Sequence, residues 1–154
     1  VGLLDEAPSV RVSGAQAEGC SPVATAFAEG TDVIRPQKPS TIAKSLAIGN
    51  PADGFYALDV VRSTGGAVGS VTDDEIVDGI RLLARTEGIF AETAGGVTVA
   101  NLARFARDGA IDADERVVAV ISGNGYKTLE AVEPDLGPTF EVTPALDDFI
   151  AQLG

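Results

Sequence analysis

Four stretches of this chain combine residue types and spacings that could do chemistry. The richest is Ser122-Gly123-Asn124-Gly125-Tyr126-Lys127, directly after the apolar run Val117-Val118-Ala119-Val120-Ile121. Two glycines let a ligand approach the backbone closely, and Ser122 offers a neutral hydroxyl at the tip of an expected strand. A plain strand-to-helix turn, which needs Gly and Asn for its backbone angles, accounts for the same residues. The second stretch is Glu87-Gly88-Ile89-Phe90-Ala91-Glu92-Thr93-Ala94-Gly95-Gly96. Its small residues suit tight packing against a planar group or a neighbouring strand. Glu92 sits just before the helix in a stretch that is otherwise apolar, and a buried carboxylate has a partner or a job. The alternative is a helix N-terminal carboxylate answering the macrodipole. The third is Ile48-Gly49-Asn50-Pro51, for which a helix C-cap followed by a proline stop is an adequate account. The fourth is Gly19-Cys20-Ser21-Pro22. With no His and no adjacent base, Cys20 reads as a small packed residue rather than a nucleophile.

Other chemistries are excluded by what the chain lacks. Its 154 residues contain no His, so no Ser-His-Asp triad, Cys-His pair or HExxH zinc site can be assembled from them. One Cys excludes an internal disulfide and every multi-Cys metal signature, and fits a reducing compartment. Asp73, Asp74 and Glu75, like Asp147 and Asp148, stand in expected first helical turns, where the dipole favours them, and read as solvated rather than metal-binding. The net charge of −12 repels phosphate backbones and anionic lipid, so neither nucleic acid nor membrane is an expected partner. No run approaches the roughly 18–20 apolar residues of a bilayer span, and the start of the chain lacks signal-peptide character. The expectation is a soluble, cytoplasmic protein. The chain begins at Val1 and contains no Met, which reads as a processed product or a piece of something longer.

The elements that must position these residues alternate. Strands are expected over Val10–Gln16, Ala67–Val71 and Val117–Ile121, the last wholly apolar and so buried on both faces like a central parallel strand. Helices are expected from Ser21-Pro22 to Gly30, over Ser40–Ile48, and from an Asp53 cap through Ser63 with Leu58 and Val61 inward. Thr72-Asp73-Asp74-Glu75 fits a capping box for a helix with Ile76, Ile80, Leu83 and Ala84 on one face, ending at Gly88. Another helix is expected over Gly96–Asp108, burying Val99, Leu102, Ala103 and Ala106. Thr143-Pro144 should open a terminal helix with Leu146, Phe149, Ile150 and Leu153 as a docking stripe. This is α/β with a mostly parallel sheet. Three strands are few for a free-standing doubly wound domain, whose edges need cover, so the fold reads as incomplete.

Taken in order, Gly14-Ala15-Gln16-Ala17-Glu18-Gly19, Thr41-Ile42-Ala43-Lys44-Ser45-Leu46-Ala47-Ile48-Gly49-Asn50-Pro51, Glu87–Gly96 and Ser122–Thr128 resemble the C-terminal part of threonine synthases, over about Val10 to Ala131. These are pyridoxal-phosphate enzymes built on the tryptophan-synthase β-subunit fold (fold type II). The last two motifs are shared across that fold family, whereas the first two favour threonine synthase. The resemblance implies the C-terminal part of a three-layer, mostly parallel open sheet flanked by helices. Residues 1–131 would belong to the large cofactor-binding domain, and 132–154 to an extension with a docking helix. It implies conversion of O-phospho-L-homoserine and water to L-threonine and phosphate by β,γ-elimination and rehydration on pyridoxal 5'-phosphate. By position, Ser122 matches the hydroxyl residue that bonds the ring nitrogen, with Gly123 beside it. Glu92 matches an acidic residue next to the ring, and the Ser45–Asn50 segment, Gly49 included, matches a loop whose backbone lines the ring. The family's Schiff-base Lys and its phosphate-binding loop match nothing here, since Lys38, Lys44 and Lys127 stand elsewhere. The expected partner is therefore the missing N-terminal part of the same enzyme, with no catalytic residue in this chain and inactivity alone. Another enzyme of the same fold, such as a threonine dehydratase, or a non-catalytic interaction module that kept the fold are the alternatives. The oligomeric state stays open, a homo-oligomer included.

Overall fold

The computed structural model describes residues 9–133 and 142–153. Two short parallel strands, β1 (Gly14–Ala17) and β2 (Val68–Val71), form a sheet with Gly14 opposite Val68 and Ala17 opposite Val71. Successive side chains point to opposite faces of a strand, and here each face has its own helices. Val68 packs into a cluster with Val23, Ala26 and Leu58, from helix α1 (Pro22–Ala28) and helix α2 (Gly54–Ser63). Ala15, Ala17 and Val71 pack into a second cluster with Ile76, Ile80, Val97 and Val132, beneath α3 (Asp73–Glu87) and α4 (Thr93–Arg107). The result is α/β, in three layers, with a parallel sheet in the middle.

Local chemistry explains most boundaries. The Thr72 hydroxyl accepts from Glu75 N while the Glu75 carboxylate accepts from Thr72 N, the expected capping box, and Gly88 closes α3 at φ 67°. Arg104 of α4 reaches this same corner, donating to Glu75 at 2.5 Å and to the Ser70 carbonyl. Helix α1 is capped differently. Ser21 makes no side-chain cap, and Gln16 of β1 accepts from Val23 N and Ala24 N at 3.0 and 2.9 Å. Leu58 and Val61 of α2, and Ile76, Ile80 and Leu83 of α3, are buried as their spacing predicts.

The α3–α4 pair is packed through glycines. A Cβ at Gly79 would overlap the Gly96 carbonyl, and one at Gly96 would overlap the Ile76 carbonyl. The two backbones touch there without side chains between them.

Several expectations are corrected. Pairing of the first strand is confined to Gly14–Ala17. Ser40–Ile48 is no α-helix: it holds a single 3₁₀ turn at Lys44–Leu46. The N–H of Ile42 and the hydroxyl of Thr41 both bond Asp73, and Ser40 N and Gln37 N pair with Gly19 O and Gly49 O, so the segment is held in an irregular, paired course. Helix α4 begins at Thr93, three residues before the expected start, with Glu92 at its N-cap. Leu102 and Ala103 are half-buried, and Ala106 and Ala84 are exposed. Asp53 occupies the N-cap of α2 without a side-chain cap bond.

The largest difference is Val117–Ile121. It is not a strand among the described residues, and Val118 and Val120 are 86% and 75% exposed. A β-branched run forms a buried strand only between neighbours that pair with it, and the described sheet offers none there. Ile121 alone turns inward, onto Leu83, Ala91 and Val99. Helix α5 (Leu146–Leu153) forms as expected, but Leu146, Phe149 and Ile150 of its stripe are exposed rather than docked.

Candidate functional site

Residues separated by some 30 positions in sequence converge at the N-terminus of α4. The segment 122–128 lies across it and is fastened by main-chain bonds: Gly125 N to Phe90 O at 3.0 Å, and Glu92 N to Gly123 O at 3.3 Å. Thr128 adds a third bond, its hydroxyl accepting from Thr93 N at 3.0 Å, and so satisfies one of the free amides of the helix start. Phe90 and Tyr126 stack edge to face, with ring centroids 5.8 Å apart. Gly125 has to be glycine because a Cβ there would enter the Phe90 ring.

Glu92 is 3% exposed although charged. Its carboxylate does not cap its own helix. Instead Oε1 accepts from Lys127 Nζ at 3.1 Å. The same Oε1 crowds Gly123, whose φ is +80° and whose absent Cβ would lie only 1.9 Å from it. Glycine is needed there twice, for the backbone angle and for the space. One residue before it, the Ser122 hydroxyl is exposed and has no partner among the described residues. The Thr93 hydroxyl, wholly buried, likewise lacks a partner among the described residues.

Three of the four residues singled out from sequence, Glu92, Ser122 and Gly123, are thus brought together. Gly49 is not bonded to that group. A Cβ on it would overlap the Gln37 carbonyl and crowd Pro39, and the 3₁₀ turn of its segment packs on α4. Cys20 is buried and burial pushes its thiol up, so a structural role holds. Away from this group, Glu18 and Gly19 border a shallow cleft with Ser40, Thr72 and Asp73. No group of three or more acidic, His or Cys residues stands ready for a metal ion, and no helix is long and apolar enough to cross a membrane, among the described residues.

Sequence reasoning missed two participants, Lys127 as the counter-charge of Glu92 and Thr128 as the cap of α4. The signal existed: a carboxylate in an apolar stretch requires a cation, and Lys127 belongs to the neighbouring motif. The pairing itself, across 35 positions, is visible only in three dimensions.

The chain matches the family described as pyridoxal-phosphate dependent enzyme over residues 1–123. It is similar to the threonine synthase of Methanocaldococcus jannaschii, 43% identical over 131 residues, which cover 84% of this chain and 32% of that protein. The threonine synthase of Methanosarcina acetivorans is 38% identical over 133 residues, 86% of this chain and 32% of that protein. For that of Mycobacterium leprae the values are 32% over 153 residues, 99% and 40%. The chain spans about a third of the length of the first two relatives. Among solved structures, maize serine racemase aligns at 27% identity with a TM-score of 0.48, covering 60% of this chain and 28% of that one.

Proposed function

Because the chain belongs to the pyridoxal-phosphate dependent enzyme family, we propose that it supplies one wall of the cofactor site in an enzyme converting O-phospho-L-homoserine and water to L-threonine and phosphate. The observation that carries this reading is the meeting of the buried Glu92 carboxylate with the Gly123 turn, directly beside the free Ser122 hydroxyl. The names and 32–43% identities of the threonine synthases support the choice of reaction.

The residues suit the cofactor. Gly123 lets the Glu92 carboxylate pack against the turn, and the exposed Ser122 hydroxyl is free to donate to a ring nitrogen. Being neutral, that hydroxyl does not hold a proton on the nitrogen as a carboxylate would, so it tempers the electron demand of the ring. Glu92, already matched by Lys127, adds no net charge to the wall. Gly49 and its segment would contribute backbone to the same cofactor wall. When bound, pyridoxal phosphate supplies an electron sink for carbanion character in the substrate. The Schiff-base lysine and the phosphate-binding loop come from the remaining part of the enzyme. Lys127 is engaged with Glu92 and Lys44 with the Thr41 carbonyl. This chain is accordingly inactive alone. Residues 1–131 belong to the large cofactor domain and 132–154 to an extension whose helix docks on a part outside the described residues.

The test is phosphate release from O-phospho-L-homoserine by the complete protein, with and without Ser122→Ala. Losing one hydrogen bond of about 1–1.5 kcal/mol should slow the reaction roughly tenfold. Equal rates, or no phosphate release by the unaltered protein, would refute the reading.

A further inference from the structure

We propose that Lys127 is a positioning residue of this wall: its ammonium neutralises and fixes the buried Glu92 carboxylate against the Gly123 turn, and so sets where Ser122 presents its hydroxyl. The inference rests on the reading of the site just given and deepens it.

The asymmetry of the ion pair is the starting point. The Glu92 side chain is 5% accessible, whereas that of Lys127 is 61% accessible. Lys127 in water needs no partner. A carboxylate withdrawn from water does, because desolvation strongly disfavours an unpaired charge. The contact therefore serves Glu92. Its position is equally telling. The carboxylate occupies the space that a Cβ on Gly123 would fill, so any movement of Glu92 is felt by the residue adjoining Ser122. Main-chain bonds through Gly123 and Gly125, and the Thr128 cap, hold the same segment independently of charge. Removal of the ammonium should then leave the segment attached while freeing the carboxylate to turn toward water, which takes away the packing that fixes Gly123 and Ser122.

The experiment uses the complete enzyme and the variants Lys127→Met, Lys127→Arg, Glu92→Gln, Lys127→Met/Glu92→Gln and Ser122→Ala. Two readouts are independent of turnover. One is amide hydrogen exchange over residues 122–127 in cofactor-free protein. The other is the dissociation constant and visible circular-dichroism band of added pyridoxal phosphate. Lys127→Met should speed exchange over 122–127, weaken cofactor binding about tenfold, as for loss of a charge-assisted bond, and diminish the band. Lys127→Arg should stay within roughly threefold of wild type, and Lys127→Met should add little in the Glu92→Gln background. Equal effects of Met and Arg, or an undiminished effect of Lys127→Met beside Glu92→Gln, would overturn the proposal, as would unaltered exchange. If Lys127→Met does not fold, a folded double variant supports the proposal and an unfolded one overturns it. Indifference of the cofactor band to both Ser122→Ala and Glu92→Gln would instead remove the site reading, which the exchange measurement does not depend on.

Discussion

Replacing Gly79 by Ala tests the packing on which the candidate site is mounted. In a solvent-facing helix, Gly→Ala is stabilising by about 1 kcal/mol, through lower unfolded-state entropy and better helix propensity. At Gly79 the added methyl would lie 3.1 Å from Ala100 N and nearer still to the Gly96 carbonyl oxygen. Restoring an ordinary separation of about 3.5 Å requires α3 and α4 to part by roughly half an ångström or more. Both obstructing atoms are main chain, so neither can swing away. Overpacking of this kind costs about 1–3 kcal/mol. Taking the upper part of that range against rigid backbone, and subtracting the propensity gain, leaves a net loss of about 2 kcal/mol. Urea unfolding followed by circular dichroism measures it, with Ala84→Gly as the comparison, because Ala84 is exposed on the same helix. That variant should lose about 1 kcal/mol from propensity alone. A Gly79→Ala protein as stable as wild type, or more so, would show that the helices are not in main-chain contact.

Two further outcomes follow from individual contacts. Gln16→Leu removes the acceptor for Val23 N and Ala24 N, and should cost about 1–2 kcal/mol, as for loss of a cap, with faster amide exchange at those two residues. Gln16→Glu keeps an acceptor and should keep most of that stability. The Thr72 backbone N–H, and after it the Arg104 guanidinium, hold the Glu75 carboxyl below its ordinary range. A depressed folded-state pKa means that the contribution is complete above the unfolded pKa and is lost as pH falls through the folded value. The stability advantage of wild type over Glu75→Gln should therefore be level from pH 7 to about 5 and shrink below that. An advantage that grows on acidification would contradict the pairing.

What could be read from the chain alone was what depends on near neighbours. The Thr72–Glu75 box spans three residues, and the Leu58/Val61 and Ile76/Ile80/Leu83 faces follow from helical spacing, so these elements were legible. Glu92 could be picked out because its surroundings are apolar for several residues on either side. Ser40–Ile48 misled because the competitor for its amides is Asp73, more than 30 positions away. Nothing within the segment records that capture. Ser21 has the composition of an N-cap, yet Gln16, on a strand, performs the task. Val117–Ile121 carries strand composition in full. Strand formation, however, is a property of pairs, and one sequence segment cannot report whether a neighbour is present.

That exposed run also bears on how the chain behaves in solution. Val118 and Val120 are exposed with no sheet partner among the described residues, and an exposed β-branched run of this kind invites pairing with other copies. The flanking Asp112, Asp114, Glu115 and Arg116 act as gatekeepers, and a net charge of −12 keeps like molecules apart. Acidity then works as a colloidal barrier beside this run, one that added salt would lower.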